Sequence, residues 1–499
     1  MLTRRDCLRR SGALASLGLG LSAMRRASAV GATDYKALVC IFLFGGNDPF
    51  NTVLATDAPS WSAYGNERGN ASTGIALAPP GTPAKVSGTL HQKLGGVLPI
   101  VPATPQASRS FALHPSLAGL RELFNQQRLG VVANVGHLID AQTTKADYHH
   151  STARRPAKLG SHNDQQSVWQ SGGAEGTTRG WGGRFMDGLI ADNTQPMFSA
   201  ISIYGSAVWL PGQSTRAYQL SSTGPVRISD PTGAATVYGS AEVLAHMRAI
   251  MSTARDNRLI EREHAAVSQR SFAATDVLGG IYPAPDAGPW GSRADALTDP
   301  LLKYRDPVTR ADLYNPLAHQ LQAVARTIAV RDALGMGRQV FFVGLGGWDT
   351  HATQPTRHAP LLAQLAQALT YFDDTLRQMG VDDQVTTFTM SEFGRALTSN
   401  GDGCDHGWGG HQFVMGGAVK GGDIYGRFPT YSGPDPTQPG TFASPDMLDS
   451  GQLLPALGVD QYAATLGTWL GVSDAELAAI LPNLSTWAPA DRNLGFMRP

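Results

Sequence analysis

A run of eight apolar residues, 37–44 (ALVCIFLF), constrains the fold of this chain more than any other feature. A strand with one face in water alternates apolar and polar residues, so an unbroken apolar run predicts a strand buried on both faces, as in a parallel sheet. Similar runs occupy residues 129–135, 339–345 and 385–390, and helix-like stretches occupy 115–127, 240–269, 316–334, 359–379 and 460–470. This alternation predicts an α/β fold, with a mostly parallel central sheet flanked by helices.

Two segments interrupt the alternation. Residues 56–107 are rich in Pro, Gly, Ser and Thr, and residues 273–305 form a second long irregular connection. Loops of this length are uncommon unless they carry function. We therefore predict a single domain over residues 30–499, with both segments inserted as loops or cap elements.

Residues 1–29 have the layout of an export signal. Arg4 and Arg5 precede a short apolar stretch at 11–24, and Ala27-Ser28-Ala29 matches a cleavage site. The paired arginines predict export by the twin-arginine route to the periplasm or beyond; an ordinary secretory signal with incidental arginines is the alternative. The apolar stretch is too short to span a bilayer, and no later window is apolar enough, so we expect no membrane span.

Charge and cysteine content limit the partners. Beyond residue 29 the chain has 34 basic and 39 acidic side chains, so we expect it to bind neither nucleic acid nor anionic lipid. Two cysteines remain there, Cys40 and Cys404. They lie in distant segments, so we expect two unpaired, mostly buried thiols, although an exported protein could form a disulfide.

Acidic and histidine residues cluster just after the predicted buried strands and in a nearby Gly-rich loop. The motifs are FGGNDPFNT with Asp48, GGWDTH with Asp349 and His351, SEFGR with Glu392 and Arg395, and DHGWGGH with Asp405, His406 and His411. Ligands of parallel sheets bind at the carboxyl ends of the strands. Carboxylates and imidazoles converging there are what a divalent cation requires. Each motif alone could equally hold a carboxylate that caps a helix or turn.

The four motifs, together with LPNL near the end of the chain, resemble the DUF1501 family of exported proteins over about residues 36–485. The resemblance implies an alkaline phosphatase-like fold, because that superfamily, which includes sulfatases and phosphodiesterases, is where the family is grouped. It also implies one or more divalent metal ions, of the Zn, Mn, Mg or Ca type, and hydrolysis of a phosphate or sulfate ester.

The resemblance assigns roles to individual residues. Asp48 and Asp349 match metal-binding aspartates, and His351 stands near the usual partner histidine with altered spacing. Glu392 takes the place of an aspartate, but Phe393 replaces the histidine that should follow it. Asp405, His406 and His411 are candidates to replace the lost ligand.

Two residues are candidates for catalysis. Ser161, in GSHND before an apparent helix, matches the position of the nucleophile, although it could be a plain N-cap paired with Asp164. Arg395 could orient an anionic substrate group through its planar guanidinium. No Cys lies in a sulfatase-type Cys-x-Pro-x-Arg context, and there is no P-loop or G-x-S-x-G motif.

Two functions follow from these residues. The first is an exported metal-dependent hydrolase of phosphate or sulfate esters. The second is a non-catalytic exported protein that uses a degenerate hydrolase fold to bind or assemble with an exported partner, since fold does not fix function.

Overall fold

A computed structural model describes residues 34–69, 74–150, 154–229 and 235–498. The predicted export signal lies outside these residues. No helix in the described part is both long and apolar enough to cross a membrane.

The strands, in chain order, are β1 Lys36–Phe44, β2 Val53–Ala55, β3 Leu98–Ile100, β4 Phe111–Leu113, β5 Leu129–Gly136, β6 Ala200–Ser202, β7 Tyr218–Gln219, β8 Lys303–Arg305, β9 Asp312–Tyr314, β10 Arg338–Gly346, β11 Val385–Met390, β12 Arg395–Ser399, β13 Cys404–His406, β14 Gly410–Met415, β15 Ile424–Tyr425 and β16 Leu457–Gly458.

The α-helices are α1 Ala58–Arg68, α2 Leu90–Leu94, α3 Ala118–Asn125, α4 Lys145–His149, α5 His162–Ser171, α6 Trp181–Leu189, α7 Ala241–Met251, α8 Leu259–Ile281, α9 Pro316–Ala329, α10 Arg331–Leu334, α11 Gln354–Gln378, α12 Val459–Leu470 and α13 Asp474–Ile480. Short 3-10 helices lie at Pro49–Asn51, Pro115–Leu117, Ile190–Asp192, Pro196–Phe198, Pro300–Leu302, Asp449–Gly451, Leu484–Thr486 and Pro489–Asp491.

Nine of the described strands form the central sheet, whose main path runs β15-β5-β14-β11-β1-β10-β6-β7, with β16 paired to β5. Strand β1 pairs in parallel with β10 on one side and with β11 on the other. Strand β14 is antiparallel to both of its neighbours, β11 and β5. The predicted α/β fold with a mostly parallel sheet is confirmed.

Strand β1 explains how the helices are arranged around the sheet. Successive side chains of a strand point to opposite faces. Ala37, Val39 and Ile41 accordingly pack into one apolar core with residues of α9 and α11, while Leu38 and Cys40 pack into a second core with residues of α6 and α12. Both faces of the sheet are therefore covered by helices, as its unbroken apolar sequence predicts.

Two sequence predictions need correction. The helix expected at 240–269 is two helices, α7 and α8, and α8 continues to Ile281, so residues 273–281 are not an irregular connection. The segment 56–107 contains helices α1 and α2 and strand β3, which pairs with β4 in a small sheet of order β2-β4-β3. Both cysteines are free and buried, as expected.

Candidate metal centre

Three loops meet at the carboxyl ends of the central strands. Because β1 pairs in parallel with β10 and β11, Phe44 lies opposite Gly346, and Phe42 lies opposite Met390. The loop after β1 passes so close to the next one that a Cβ on Gly45 would lie 2.3 Å from the backbone N of Asp349. Gly45 also has a φ of +123°, which favours glycine.

Asp349 is the centre of a group of three histidines. The Nε2 atoms of His351 and His406 lie 3.2 Å and 3.3 Å from its Oδ1, and Nε2 of His162 lies 3.5 Å from its Oδ2. The Nε2 atoms of His351 and His406 are 2.9 Å apart. His162 is the first residue of α5, and His406 is the last residue of β13. We call Asp349, His162, His351 and His406 the histidine–aspartate cluster.

Each of these imidazoles is held at its other nitrogen by a group that accepts a hydrogen bond. Nδ1 of His162 lies 2.9 Å from Oε1 of Glu392, and Nδ1 of His351 lies 3.2 Å from Oδ1 of Asp405. Nδ1 of His406 lies 2.9 Å from the backbone oxygen of Gly160. Since carboxylate and carbonyl oxygens only accept, Nδ1 carries the proton in all three rings, and in the neutral rings each Nε2 presents a lone pair.

The cluster therefore brings three Nε2 atoms and the Asp349 carboxylate together, and Asp349 also accepts a hydrogen bond from Arg395. On a tetrahedron with metal–ligand bonds of about 2.0–2.1 Å, neighbouring ligand atoms lie about 3.3 Å apart. The three distances from the imidazoles to Asp349 and the distance between His351 and His406, 2.9–3.5 Å, bracket that value. His162, Asp349 and His406 each offer a ligand atom, and these three atoms all lie within 4.8 Å of one another.

Charge at the centre is set by Arg395. Burial by itself raises the pKa of the Asp349 carboxyl, but the Arg395 guanidinium, 2.5 Å away, outweighs it, and the pKa falls to about 2. The hydrogen bond that His162 donates to Glu392 raises the pKa of His162, while burial lowers the pKa of His406. Asp349 is thus an anion throughout the physiological pH range and available to a cation.

Of the residues predicted from the sequence, Asp349, His351 and His406 come together in the cluster. Glu392 and Asp405 stand one step further out and orient imidazoles. Glu392 is fully buried; its Oε1 also accepts from the backbone N of Gly45 and from Gln166.

The predicted role of Asp48 is corrected. Its carboxylate is fully buried in an ion pair with the Arg68 guanidinium, accepts a hydrogen bond from Gln354, and caps the 3-10 turn at Phe50. Burial raises the pKa of the Asp48 carboxyl, but the Arg68 guanidinium lowers it by more, so the net shift is downward. The lone pairs of this carboxylate are occupied within the protein, so Asp48 is not available as a metal ligand.

His411 and Arg395 are also corrected. His411 is buried, its Nδ1 accepts a hydrogen bond from the backbone N of Asn134, and its ring stacks on Phe428. The Arg395 guanidinium is fully buried and donates to the carbonyls of Gly45, Gly46 and Cys404 as well as to Asp349. It therefore fixes the loops and Asp349 and has no free fork to offer a substrate.

Ser161 is the N-cap residue of α5, but its hydroxyl donates to Oδ2 of Asp164, 2.7 Å away. Its neighbour His162 is a candidate ligand that the sequence motifs did not reveal. His162 lies 230 residues before Glu392 along the chain, and no periodic pattern links the two. The only available signal was its place beside Ser161 in the GSHND motif.

Comparison with known proteins gives a family. The family model described as "Protein of unknown function (DUF1501)" matches residues 35–481. The chain belongs to the DUF1501 family. No curated protein matches this family member.

Solved structures similar to this DUF1501 member include a Bacteroides thetaiotaomicron protein described in connection with the metabolism of multiple glycosaminoglycans, at 10% identity and a TM-score of 0.34, covering 89% of this chain and 74% of the other. Another is the lipoteichoic acid synthase LtaP from Listeria monocytogenes, at 7% identity and a TM-score of 0.31, covering 88% and 73%. TM-scores and identities this low carry no argument about activity or substrate.

Proposed function

We propose that this protein is a metal-dependent hydrolase of phosphate or sulfate esters whose metal ion is bound by the histidine–aspartate cluster. The observation that carries the proposal is the convergence of three Nε2 lone pairs on Asp349, each imidazole being fixed at Nδ1 by an acceptor. Imidazole nitrogens that face a carboxylate in this way suit a cation, and ligating histidines are commonly anchored through the second ring nitrogen.

The donor set also indicates the class of metal. Imidazole nitrogens with one carboxylate suit zinc and similar transition metals, whereas calcium and magnesium prefer oxygen ligands. We therefore narrow the expected ion to zinc or a related divalent transition metal. A divalent ion held there would act as a Lewis acid on the oxygens of a phosphoryl or sulfuryl group.

The roles of the surrounding residues follow from their contacts. Glu392 and Asp405 orient His162 and His351, and Arg395 holds Asp349 and the three loops in register. Ser161 is bound to Asp164, so we propose that it stabilises the start of α5 and is not the nucleophile. Ser161→Ala is then expected to retain activity.

Activity assays on metal-loaded protein test the proposal. We expect a zinc-reconstituted sample to hydrolyse 4-nitrophenyl phosphate, bis(4-nitrophenyl) phosphate or 4-nitrophenyl sulfate, and His162→Ala to lose that activity. The matched control is His246→Ala, on the distant helix α7. Binding of one metal ion with no hydrolysis of any of these esters would leave the second candidate, a non-catalytic binding protein, which the engagement of Ser161 by Asp164 favours.

Export remains part of the proposal. The Arg4-Arg5 pair supports transport of a folded, metal-loaded protein by the twin-arginine route. Changing both residues to Lys is expected to leave folded precursor in the cytoplasm. Efficient export of that variant would indicate an ordinary secretory signal.

A further inference from the structure

A cavity of about 340 Å³ adjoins the histidine–aspartate cluster. One side is formed by His351, Asp405 and His406, so whatever occupies the cavity lies against the proposed metal centre. Its size falls within the roughly 300–1,000 Å³ that small-molecule sites enclose.

Another part of the cavity lining is apolar. Tyr148, Leu159, Trp408 and Leu448 line it, and they belong to an apolar cluster that is separate from the two large cores of the sheet. The rings of Tyr148 and Trp408 lie 6.1 Å apart, and the Arg155 guanidinium packs 4.1 Å from the Tyr148 ring centre. Tyr148 is therefore held in place by its contacts with Trp408 and Arg155.

Polar groups lie at the edge between the two walls. The Asp405 side chain is two-thirds exposed (66%). Gln452 lines the cavity and donates from its Nε2 to the backbone oxygen of His406, which leaves its amide oxygen as an acceptor. An occupant with hydroxyl groups at its rim and an apolar face satisfies both walls at once, and this combination describes a pyranose ring.

We propose that the cavity binds the sugar ring of the alcohol half of a substrate ester. That the sugar belongs to an ester rests on the proposed function, whereas the sugar site itself does not. The apolar face of the ring packs against Tyr148 and Trp408, and its hydroxyls donate to Asp405 and Gln452. A phenol would fill the apolar wall, but its single O–H can donate to only one of the two acceptors, so the site favours sugars.

Direct binding of simple rings tests the site without turnover. Methyl α-glucopyranoside, methyl α-galactopyranoside and phenol are titrated into metal-free and zinc-loaded protein, followed by tryptophan fluorescence and by saturation-transfer NMR. We expect at least one pyranoside to bind in both samples, and Tyr148→Ala to weaken it at least tenfold. Leu159→Trp, which fills the cavity, should abolish it, with the melting temperature of each variant showing that it is folded.

The matched control is Tyr238→Ala, a tyrosine that is 96% exposed and lies in another part of the chain. It should leave sugar binding unchanged. The proposal is overturned if no pyranoside binds up to roughly 0.1 M, far above a millimolar Kd, if phenol alone binds, or if Tyr238→Ala weakens binding as much as Tyr148→Ala. Sugar binding by a protein that takes up no metal would refute the proposed function and leave the sugar site standing.

Discussion

Replacing Glu392 with Gln should weaken metal binding without touching a metal ligand. The Glu392 carboxylate is fully buried and accepts hydrogen bonds from Gly45, His162 and Gln166 through one oxygen. The amide of Gln keeps the size and an acceptor oxygen but removes the charge. The hydrogen bond that fixes the proton on Nδ1 of His162, and so the lone pair on Nε2, then loses its charge assistance.

The size of the effect follows from the role of Glu392 as an outer partner. Loss of such partners costs about 10–100-fold in metal affinity, or about 1.4–2.7 kcal/mol. The matched control is Asp405→Asn, since Asp405 plays the same part for His351 but is largely exposed, where charge contributes less. We expect less than about a tenfold loss for that control.

Competition with a chromophoric chelator measures zinc affinity in wild type and both variants, and the visible spectrum of cobalt-loaded protein reports whether four-coordination persists. Zinc affinity in Glu392→Gln within twofold of wild type would refute the reasoning. A larger loss of zinc affinity in Asp405→Asn than in Glu392→Gln would also refute it, because the effect of removing the carboxylate charge would then not increase with burial.

Three further outcomes are expected. Chelation should lower the melting temperature of the wild type, by an amount equivalent to about 2.7 kcal/mol when metal is at 100 times Kd. Asp349→Asn should make the melting temperature insensitive to the chelator. An unchanged wild-type melting curve would contradict a bound metal. Arg68→Met should cost about 3–5 kcal/mol in urea unfolding because it leaves Asp48 as a buried, unpaired charge, yet leave metal stoichiometry intact, and loss of metal with no loss of stability would contradict this separation. Burial raises the pKa of Asp460 to about 6, so the folded state holds an extra proton between about pH 4 and 6, and the stability of the wild type falls as pH rises through that window. Relative to wild type, Asp460→Asn should therefore gain about 3 kcal/mol in unfolding free energy between pH 4 and 7.5. A difference between the two proteins that does not change with pH would refute this assignment.

Local sequence predicted four of the nine described strands of the central sheet, β1, β5, β10 and β11, because burial on both faces leaves a direct signature in the chain. The run 385–390 coincides with β11, and 37–44 lacks only Lys36 of β1. The predicted helix ended at residue 269, whereas α8 continues to Ile281, where its second half packs Ala274 and Leu278 against the core. Such tertiary packing overrides the high content of small residues there.

The site was predicted only in part because its ligands depend on contacts between distant segments. Asp349 and His351 follow the end of β10 in the central sheet, and His406 ends β13 in the separate pair β12-β13. Asp48 stands at an equivalent position, but its carboxylate is neutralised by Arg68, a residue of a segment predicted to be irregular that instead forms α1. No local sequence pattern predicts this ion pair or the contact between His162 and Glu392.

Anomalous diffraction at the zinc absorption edge, from crystals of zinc-loaded protein, tests the central claim most directly. The account predicts one strong peak about 2.0–2.2 Å from the Nε2 atoms of His162, His351 and His406 and from a carboxylate oxygen of Asp349. The absence of a peak at this position, or a peak beside Asp48 and His411 in its place, would contradict it.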